Sequence, residues 1–395
     1  MPMTGRRTFL ENCAALAALP WLPERLLAMD GSFDPWVEVH ADNLRRNVRE
    51  VARRVGSRPI LAVAKNNGYG LGVVNAARVF EGLPEIAGVA VVKLAEAAAI
   101  RDAGIKKPLL LLGPLDETEI EDAAARDITP IVYTRIGAAL DRAAQKLGRA
   151  ISIQVCVDTG IGRVGVPYRD APALIDDLAT RPSLRIDGIL MTFAEDPEFD
   201  GEQLRRFLEL TDALTKAGRR LGKRHAASSF ALFQRPDSFL DMVRPGMALY
   251  GVYSEAPFRS LGILDLKPAF ALRARVLYVK LLRAGESAGY ERAYRAKQNV
   301  WVATLPVGHA DGLPRAAAKG ARVRIGDALY PIVASVSASH TIVEVGSEPR
   351  VRIGDVATLF DWSPGSRPED FATACGTSVY DLAMHLNPLL PRRLV

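Results

Sequence analysis

The sequence predicts an α/β protein with two domains: an N-terminal (β/α)8 barrel and a C-terminal all-β domain. Up to about residue 266, short apolar runs alternate with segments of helical periodicity about eight times, as a barrel requires. After Pro268, short β-rich runs separated by glycine and proline replace that alternation. The chain has 395 residues, 49% of them apolar and 24% charged, which suits two or three globular domains.

The apolar runs predict the barrel strands, and the amphipathic segments between them predict the helices. Pro59–Ala64 is continuously apolar, as in a strand buried on both faces. Later runs of this kind are Ile86–Val92, Pro108–Leu112, Thr129–Val132, Ile151–Val157, Ile186–Met191, His225–Ser228 and Met247–Gly251. The predicted helices include Ala41–Val55, Leu94–Asp102, Ile120–Arg126, Arg135–Leu147 and Gln203–Leu221. A doubly wound open sheet has the same alternation and is the alternative.

Short runs of β character predict the second domain. They are Phe270–Leu282, Val300–Pro306, Ala321–Ile325, Tyr330–Val336, Thr341–Val345 and Asp355–Phe360. We therefore expect a leader over 1–31, the barrel over 35–266 and the β domain over 267–395. The first strand of the chain could also join the β domain.

The amino terminus has the pattern of an export signal. Arg6 and Arg7 precede Thr8-Phe9-Leu10, and a mildly apolar stretch follows from Ala14 to Leu22. That stretch is shorter than the ~20 apolar residues that span a bilayer. The segment resembles a twin-arginine signal, which predicts a periplasmic or secreted protein. The alternative is a frayed extension on a cytoplasmic protein.

Composition disfavours several classes of function. The formal charge is +6, yet Lys and Arg alternate with Asp and Glu, so we expect no nucleic-acid partner. The isolated cysteines, Cys13, Cys156 and Cys375, and five scattered histidines form no metal-binding motif, so we expect no metal cofactor. No segment after the leader reaches transmembrane length, so we expect no membrane contact after export.

The first barrel strand ends in a candidate for covalent catalysis. Lys65 follows the apolar run directly, and Gly68, Gly70 and Gly72 come next. Residues at the carboxyl ends of barrel strands line the active-site mouth, and glycines let the backbone approach a ligand. Lys65 is thus a candidate for a Schiff base. A surface lysine on a flexible loop is an equally open interpretation of these residues alone.

The segment AVAKNNGYGLG, which contains Lys65, resembles the pyridoxal phosphate (PLP) lysine motif of the alanine racemase family. The resemblance extends from about Trp36 to Arg393. The other matching segments, in the family's order, are VDTGIGRVGV (157–166), HAASS (225–229), VRPGMALYG (243–251), RAGESAGYERAY (283–294), LPVGHADGLPRA (305–316), PIVASVSASHTIVEV (331–345) and CGTSVYDL (375–382).

The resemblance implies a PLP-dependent racemase that acts on amino acids through two acid/base groups. Lys65 matches the lysine that holds PLP and serves one face of the substrate. Tyr290 matches the catalytic tyrosine for the other face, which in this family comes from the second subunit of a homodimer. Arg163 matches the arginine near that tyrosine and the substrate carboxylate, and Arg244 matches the arginine at the pyridine nitrogen.

The resemblance also implies a phosphate site. Tyr69, Ser229 and Tyr380 match hydroxyl groups around the phosphate, with the backbone N–H groups of Gly246 and Met247 nearby. Neutral donors at a backbone turn commonly hold a phosphate. Asn66 and Asn67 are interpreted as residues that shape the loop.

The sequence departs from the family at the substrate end. Where the family has Cys-Met-Asp-Gln, this chain has Ser337-Ala338-Ser339-His340. His309 stands where the family usually has a tyrosine, Thr192 where it often has a histidine, and Cys156 where some members have a lysine. The resemblance implies that His309, Ala338 and Ser339 line the substrate pocket. Since Ala338 and Ser339 replace methionine and aspartate, we hypothesise that the pocket accepts side chains larger than a methyl group, or a different amino acid. Drift with retained alanine specificity, a related PLP lyase and a non-catalytic PLP-binding paralogue are the alternatives.

Overall fold

In the computed structural model, which describes residues 33–395, a parallel sheet winds into a closed barrel. The predicted leader lies outside the described residues. The barrel strands are β2 (Ile60–Val63), β3 (Ile86–Val91), β4 (Leu109–Leu111), β5 (Ile128–Val132), β6 (Ile151–Asp158), β8 (Leu184–Leu190) and β9 (Lys223–His225), and β7 (Val166–Pro167) pairs with β6. This arrangement confirms the predicted barrel.

A short irregular segment closes the barrel between β9 and β2. The Leu61 N–H donates to the Val243 carbonyl at 2.9 Å, and the Arg244 N–H donates to the Ala227 carbonyl at 2.8 Å. Ile60 and Val243 also form a parallel bridge. The segment around Val243 therefore acts as the eighth strand, and it carries Arg244 to the carboxyl-terminal mouth.

Helices cover the outside of the barrel, with their apolar residues turned inward. In α1 (Ala41–Val55), Leu44, Val48 and Val51 are fully buried, and His40 Nδ1 caps the first turn by accepting from the Asn43 N–H. The other helices of this domain are α2 (Val73–Glu81), α3 (Leu94–Asp102), α4 (Ile120–Ala125), α5 (Gly137–Leu147), α6 (Ala171–Ala179), α7 (Asp200–Lys216) and α8 (Ala231–Gln234).

One predicted strand is wrong. The apolar run Met247–Gly251 forms a 3-10 helix, Met247–Tyr250, that ends at Gly251 in the left-handed conformation. A short apolar run is equally compatible with a buried strand and a buried helical turn. Here the turn buries Leu249 and Tyr250, and the Tyr250 hydroxyl donates to the Val63 carbonyl at 3.2 Å.

The second domain is built on a nine-stranded sheet with the order β11-β14-β17-β16-β15-β18-β10-β1-β19. Its strands are β1 (Trp36–Val39), β10 (Phe270–Arg275), β11 (Tyr278–Leu282), β14 (Val300–Leu305), β15 (Arg322–Ile325), β16 (Ala328–Val333), β17 (Thr341–Gly346), β18 (Val356–Phe360) and β19 (Arg392–Leu394). A hairpin of β12 (Ser287–Ala288) and β13 (Tyr294–Arg295) stands beside it. The first strand of the chain thus belongs to the β domain, where it pairs with β10 and β19.

Two short helices complete this domain, although the sequence predicted strands alone. They are α9 (Pro368–Cys375) and α10 (Val379–Met384). The second lies against the barrel mouth, because a Cβ atom at Gly70 would stand 2.0 Å from the Ala383 carbonyl oxygen. Arg392 Nε also donates to the Gly70 carbonyl at 3.0 Å. These contacts place Tyr380, on α10, beside the turn that follows Lys65.

Candidate active site

Lys65 begins a single helical turn directly after β2, and most of this turn has left-handed backbone angles. The φ angles are 54° at Asn66, 56° at Asn67, 60° at Gly68 and 54° at Tyr69. Each non-glycine residue in this conformation costs about 1–2 kcal/mol, and asparagine tolerates it better than most. Such strain persists only where surrounding contacts impose it, which is typical of functional sites.

Those contacts come from Asn67 and α3. The Asn67 N–H donates to Glu96 Oε1 at 2.7 Å, and Asn67 Oδ1 accepts from the Val73 N–H at 3.0 Å. Asn67, in the middle of the turn, therefore ties it to both α2 and α3. The position of Lys65 is fixed by backbone hydrogen bonds and these two side chains, which supports a shaping role for Asn67.

The Lys65 amine lies half-buried among charged groups. Burial lowers its pKa, and the charges of Arg163 and Arg244 lower it further, while Glu195 and Glu96 act in the opposite direction. A lysine with a lowered pKa has a larger fraction of neutral amine near pH 7. It is then a better base and a better nucleophile.

Arg244 is a buried cation whose hydrogen bonds are all to neutral groups. Its Nη2 donates to the Met191 carbonyl at 3.0 Å and to Thr192 Oγ1 at 3.2 Å. No carboxylate of residues 33–395 forms an ion pair with it. Burial lowers its pKa to about 10, which leaves the guanidinium charged at neutral pH. Thr192 therefore supplies a neutral acceptor to this arginine.

His225 holds the other side of the Arg244 guanidinium. The distance from Arg244 Nη1 to His225 Nδ1 is 3.0 Å, and His225 Nε2 lies 2.8 Å from Gln154 Oε1. Arginine only donates, so Nδ1 accepts and Nε2 carries the proton that it donates to Gln154. Complete burial and the Arg244 charge keep the pKa of His225 well below its usual value. The imidazole is neutral.

A cluster of polar groups lies between the Lys65 turn and the closing segment. Ser229 Oγ accepts from the N–H groups of Gly246 and Ala248 at 3.0 and 3.2 Å. A Cβ atom at Gly246 would stand 2.0 Å from the Tyr69 hydroxyl oxygen. The rings of Tyr69 and Tyr380 are 6.0 Å apart between centroids, and burial raises the pKa of Tyr69, which stays a hydroxyl donor.

The structure thus brings Tyr69, Ser229, Gly246 and Tyr380 together. The hydrogen bonds also involve the Ala248 N–H, which the sequence did not single out. Met247, which was predicted to donate, begins the 3-10 helix between these two donors. The N–H groups of Gly246 and Ala248 both donate to Ser229 Oγ, so this hydroxyl joins the closing segment to the 3-10 helix.

Arg163 lies in the exposed loop between β6 and β7. Asp158 shapes this loop by accepting from the N–H groups of Gly160 and Gly162 at 2.8 and 3.0 Å. Behind it, burial raises the pKa of Cys156 to about 11, so this thiol is neutral at physiological pH. Cys156 therefore offers Arg163 no compensating charge.

The four remaining predicted residues lie on the β domain. Tyr290, in the turn between β12 and β13, is 74% exposed. The segments of His309 and Ala338 are hydrogen-bonded to each other: the His309 N–H donates to the Ser337 carbonyl and the Ala310 N–H to the Ala338 carbonyl, both at 2.9 Å. Within residues 33–395, no hydrogen bond connects Tyr290, His309, Ala338 or Ser339 to Lys65.

The sequence missed two residues of the barrel mouth. His225 begins the HAASS segment, yet its bond to Arg244 depends on the pairing of β9 with the closing segment. Glu195 follows β8 in an exposed loop and influences the pKa of Lys65. The available signal was its place at the carboxyl end of a barrel strand.

Among the described residues, no group of three His, Cys, Asp or Glu side chains is arranged to hold a metal ion. No helix of this part of the chain is long and apolar enough to cross a membrane.

Two family models match the chain over almost all of its described length. The model for the alanine racemase N-terminal domain matches residues 39–254, and the model for the alanine racemase C-terminal domain matches residues 269–394. An alanine racemase of Desulforamulus reducens is 33% identical over 366 residues, which are 90% of this chain and 98% of the relative. One of Chlorobaculum tepidum is 32% identical and covers 98% of both chains.

Comparison with solved structures identifies the same family. An alanine racemase of Clostridium difficile 630 is 26% identical with a TM-score of 0.85, and it covers 93% of this chain and 96% of its own. The alanine racemase of Bacillus anthracis with bound L-Ala-P is 28% identical with a TM-score of 0.82 and the same coverage. Both the barrel and the β domain are therefore shared with these proteins.

Proposed function

The chain belongs to the alanine racemase family, and from this premise we propose that it interconverts the L and D forms of amino acids with PLP as cofactor. The observation that carries the proposal is the position of Lys65. This lysine has a lowered pKa and lies at the barrel mouth, close to a buried arginine without an ion-pair partner in the described chain and to a cluster of hydroxyl groups.

The residues present fit PLP. Arg244 is a buried cation without a carboxylate partner in the described chain, and a ring nitrogen that accepts a hydrogen bond suits it. Ser229 Oγ accepts from two backbone N–H groups, so its own hydroxyl proton can donate to a phosphate, as can the hydroxyl of Tyr69. Gly246 leaves no room for a side chain beside Tyr69. Lys65, Tyr69, Ser229, Arg244, Gly246 and Tyr380 would hold the cofactor, with Met247 beside them.

PLP, when bound, makes the α-proton of an amino acid acidic by delocalising negative charge into its ring. The chain supplies the proton transfers. Lys65 Nζ takes or returns the proton on one face, because its lowered pKa keeps a neutral amine available. Arg244 stays charged and only donates, so it would pair with a ring nitrogen that carries no proton and would limit charge delocalisation into the ring.

The second acid/base group in this proposal is Tyr290 of another copy of the chain. Tyr290 is 74% exposed at the end of a hairpin, and its hydroxyl makes no hydrogen bond within residues 33–395. An exposed tyrosine with no local partner is available to a neighbouring subunit. We propose a homodimer in which Lys65 and Arg163 of one subunit meet Tyr290, His309, Ala338 and Ser339 of the other.

The proposal includes substrates larger than alanine. Ala338 and Ser339 have short side chains where the family has methionine and aspartate, and this enlarges the predicted pocket. Steady-state kinetics over a panel of L-amino acids test this part. Higher kcat/KM for larger substrates than for alanine supports it, and a clear preference for alanine contradicts it.

We further propose export through the twin-arginine leader. Fractionation of the tagged full-length protein, and of a variant with both Arg6 and Arg7 changed to lysine, tests this. Periplasmic or secreted protein that depends on the two arginines supports export, whereas wholly cytosolic protein contradicts it.

The main experiment measures cofactor and activity together. The purified protein should show the visible absorbance of bound PLP and should convert L-alanine, or another amino acid, to a racemic mixture. Lys65→Met should abolish both, while the exposed Lys216→Met at the end of α7 should change neither. Release of aldehyde or carbon dioxide in place of racemisation would indicate a lyase and contradict the proposal.

A further inference from the structure

Glu195 has a strained backbone at the barrel mouth. Its φ angle is 62°, in the left-handed region that non-glycine residues rarely adopt. It lies in the loop between β8 and α7, so it follows the carboxyl end of a barrel strand. Strain of this kind persists when neighbouring groups impose it, and it is concentrated at functional sites.

Two buried side chains of α7 impose this conformation. Gln203 Oε1 accepts from the Ala194 N–H at 2.8 Å, and Asp200 Oδ1 accepts from the Asp196 N–H at 3.2 Å. Both side chains are completely buried. The residues on either side of Glu195 are therefore anchored, and the backbone position of Glu195 is set by the fold.

The Glu195 carboxylate has no cationic partner at hydrogen-bonding distance. Its hydrogen bond is with the Ser228 hydroxyl, at 3.2 Å from Oε1, and it forms no ion pair within residues 33–395. Desolvation raises its pKa, although part of the side chain is exposed. The charge of Glu195 raises the pKa of Lys65 and of Tyr69, and the charge of Arg163 lowers the pKa of Glu195. A partly desolvated carboxylate is stabilised when a cation reaches it.

In the proposed function, the side chain is the one part of the substrate that has no assigned partner and could contact the Glu195 carboxylate. The α-amino group of the substrate would engage PLP, and Arg163 would bind the α-carboxylate. The side chain remains, and the short residues Ala338 and Ser339 would give it space. The methyl side chain of alanine forms no favourable electrostatic contact with a carboxylate. A side chain that ends in an ammonium or guanidinium group can form an ion pair with it.

We propose that Glu195 determines specificity by binding a cationic group at the end of the substrate side chain. The preferred substrates are then amino acids with a terminal ammonium or guanidinium group. This inference rests on the proposed function of the same site, because it takes the substrate position from that function.

The test uses stable adducts, so that binding is measured without turnover. Reduced phosphopyridoxyl-L-lysine and phosphopyridoxyl-L-norleucine have side chains of similar length that differ in the terminal charge. Their dissociation constants for the PLP-free full chain are measured by calorimetry. We expect the lysine adduct to bind about tenfold more tightly, as one partly exposed charge pair would give. Glu195→Gln should reduce this ratio to about one.

Matched variants separate charge from structure. Glu198→Gln, in the same loop, removes an equal charge and should retain the tenfold ratio, and Glu195→Asp should retain a preference for lysine. Thermal unfolding confirms that each variant is folded. Equal binding of both adducts by the wild-type chain, or a lysine preference that survives Glu195→Gln, overturns the inference while the racemase proposal stands. Failure to bind either adduct overturns both.

Discussion

Arg244 and His225 form a buried pair in which the arginine donates from Nη1 to Nδ1 of a neutral histidine at 3.0 Å. The pair extends to Gln154, which accepts from Nε2 at 2.8 Å. Three elements, β6, β9 and the closing segment, are joined by this chain of hydrogen bonds. These hydrogen bonds orient the Arg244 guanidinium and leave its charge uncompensated. A carboxylate in place of His225 would neutralise that charge.

The buried neutral His225 makes stability depend on pH. In the unfolded chain His225 binds a proton below about pH 6.5, whereas the folded pKa lies well below that value. The unfolded state therefore binds more protons in this window, and the free energy of unfolding falls as the pH is lowered, by at most about 1.4 kcal/mol per pH unit. Urea denaturation between pH 7 and pH 5 should show this loss. In His225→Gln the loss should be smaller, and parallel curves for both proteins would refute the assignment.

Ser229→Ala should weaken both the fold and the phosphate site. The change leaves the N–H groups of Gly246 and Ala248 without their acceptor, at a cost of about 1–3 kcal/mol in free energy of unfolding. Urea denaturation of the PLP-free protein measures this, and equilibrium dialysis measures PLP affinity, which should fall. Ser260→Ala on the surface is the control. A variant with unchanged PLP affinity would show that this cluster of polar groups does not hold the phosphate.

Gly246→Ala should disturb Tyr69, because the added Cβ atom would stand 2.0 Å from its hydroxyl oxygen. We expect a loss of about 1–3 kcal/mol in stability from overpacking, together with weaker PLP binding. Gly82→Ala places a methyl group in open space at an ordinary φ and should be neutral or slightly stabilising. Thermal unfolding of both variants with and without PLP provides the comparison. Equal stability of the two variants would contradict the close packing.

The pKa of the Lys65 amine should lie below the usual 10.5 in the PLP-free protein. Arg163→Gln removes a nearby cation that disfavours the ammonium form, so this pKa should rise. Reductive methylation with labelled formaldehyde, followed by NMR titration of the Lys65 resonance, measures the shift. Arg350→Gln, an exposed arginine paired with Glu348, is the control. A pKa that is unchanged in Arg163→Gln would place Arg163 outside the electrostatic environment of Lys65.

Tyr290→Phe should abolish most racemisation while it leaves stability unchanged, because the side chain is 74% exposed. Loss of one acid/base group typically costs about 10²–10⁴ in rate. Mixing this variant with Lys65→Met under subunit exchange should restore about a quarter of wild-type activity, since half of the dimers would contain one complete site. No recovery would show that Lys65 and Tyr290 act from the same subunit.

The fold was largely predictable because the barrel strands are buried on both faces and their apolar runs are distinct. The predicted segments Ala41–Val55 and Leu94–Asp102 coincide with α1 and α3. Prediction was wrong at Met247–Gly251, where local hydrophobicity does not distinguish a strand from a buried turn. The two helices of the β domain, α9 and α10, are too short for helical periodicity to reveal them.

The sequence by itself determined the barrel and the β domain, and its resemblance to one family supplied the candidate site residues. Lys65, Arg244 and Ser229 could be named because they lie in ordered segments that resemble one family. Only the tertiary structure decided that His225 orients Arg244, that Ser229 accepts from Ala248, and that Glu195 is held in a left-handed conformation beside Lys65. These relationships depend on distances between residues that are far apart in the chain, and local sequence patterns contain no information about them.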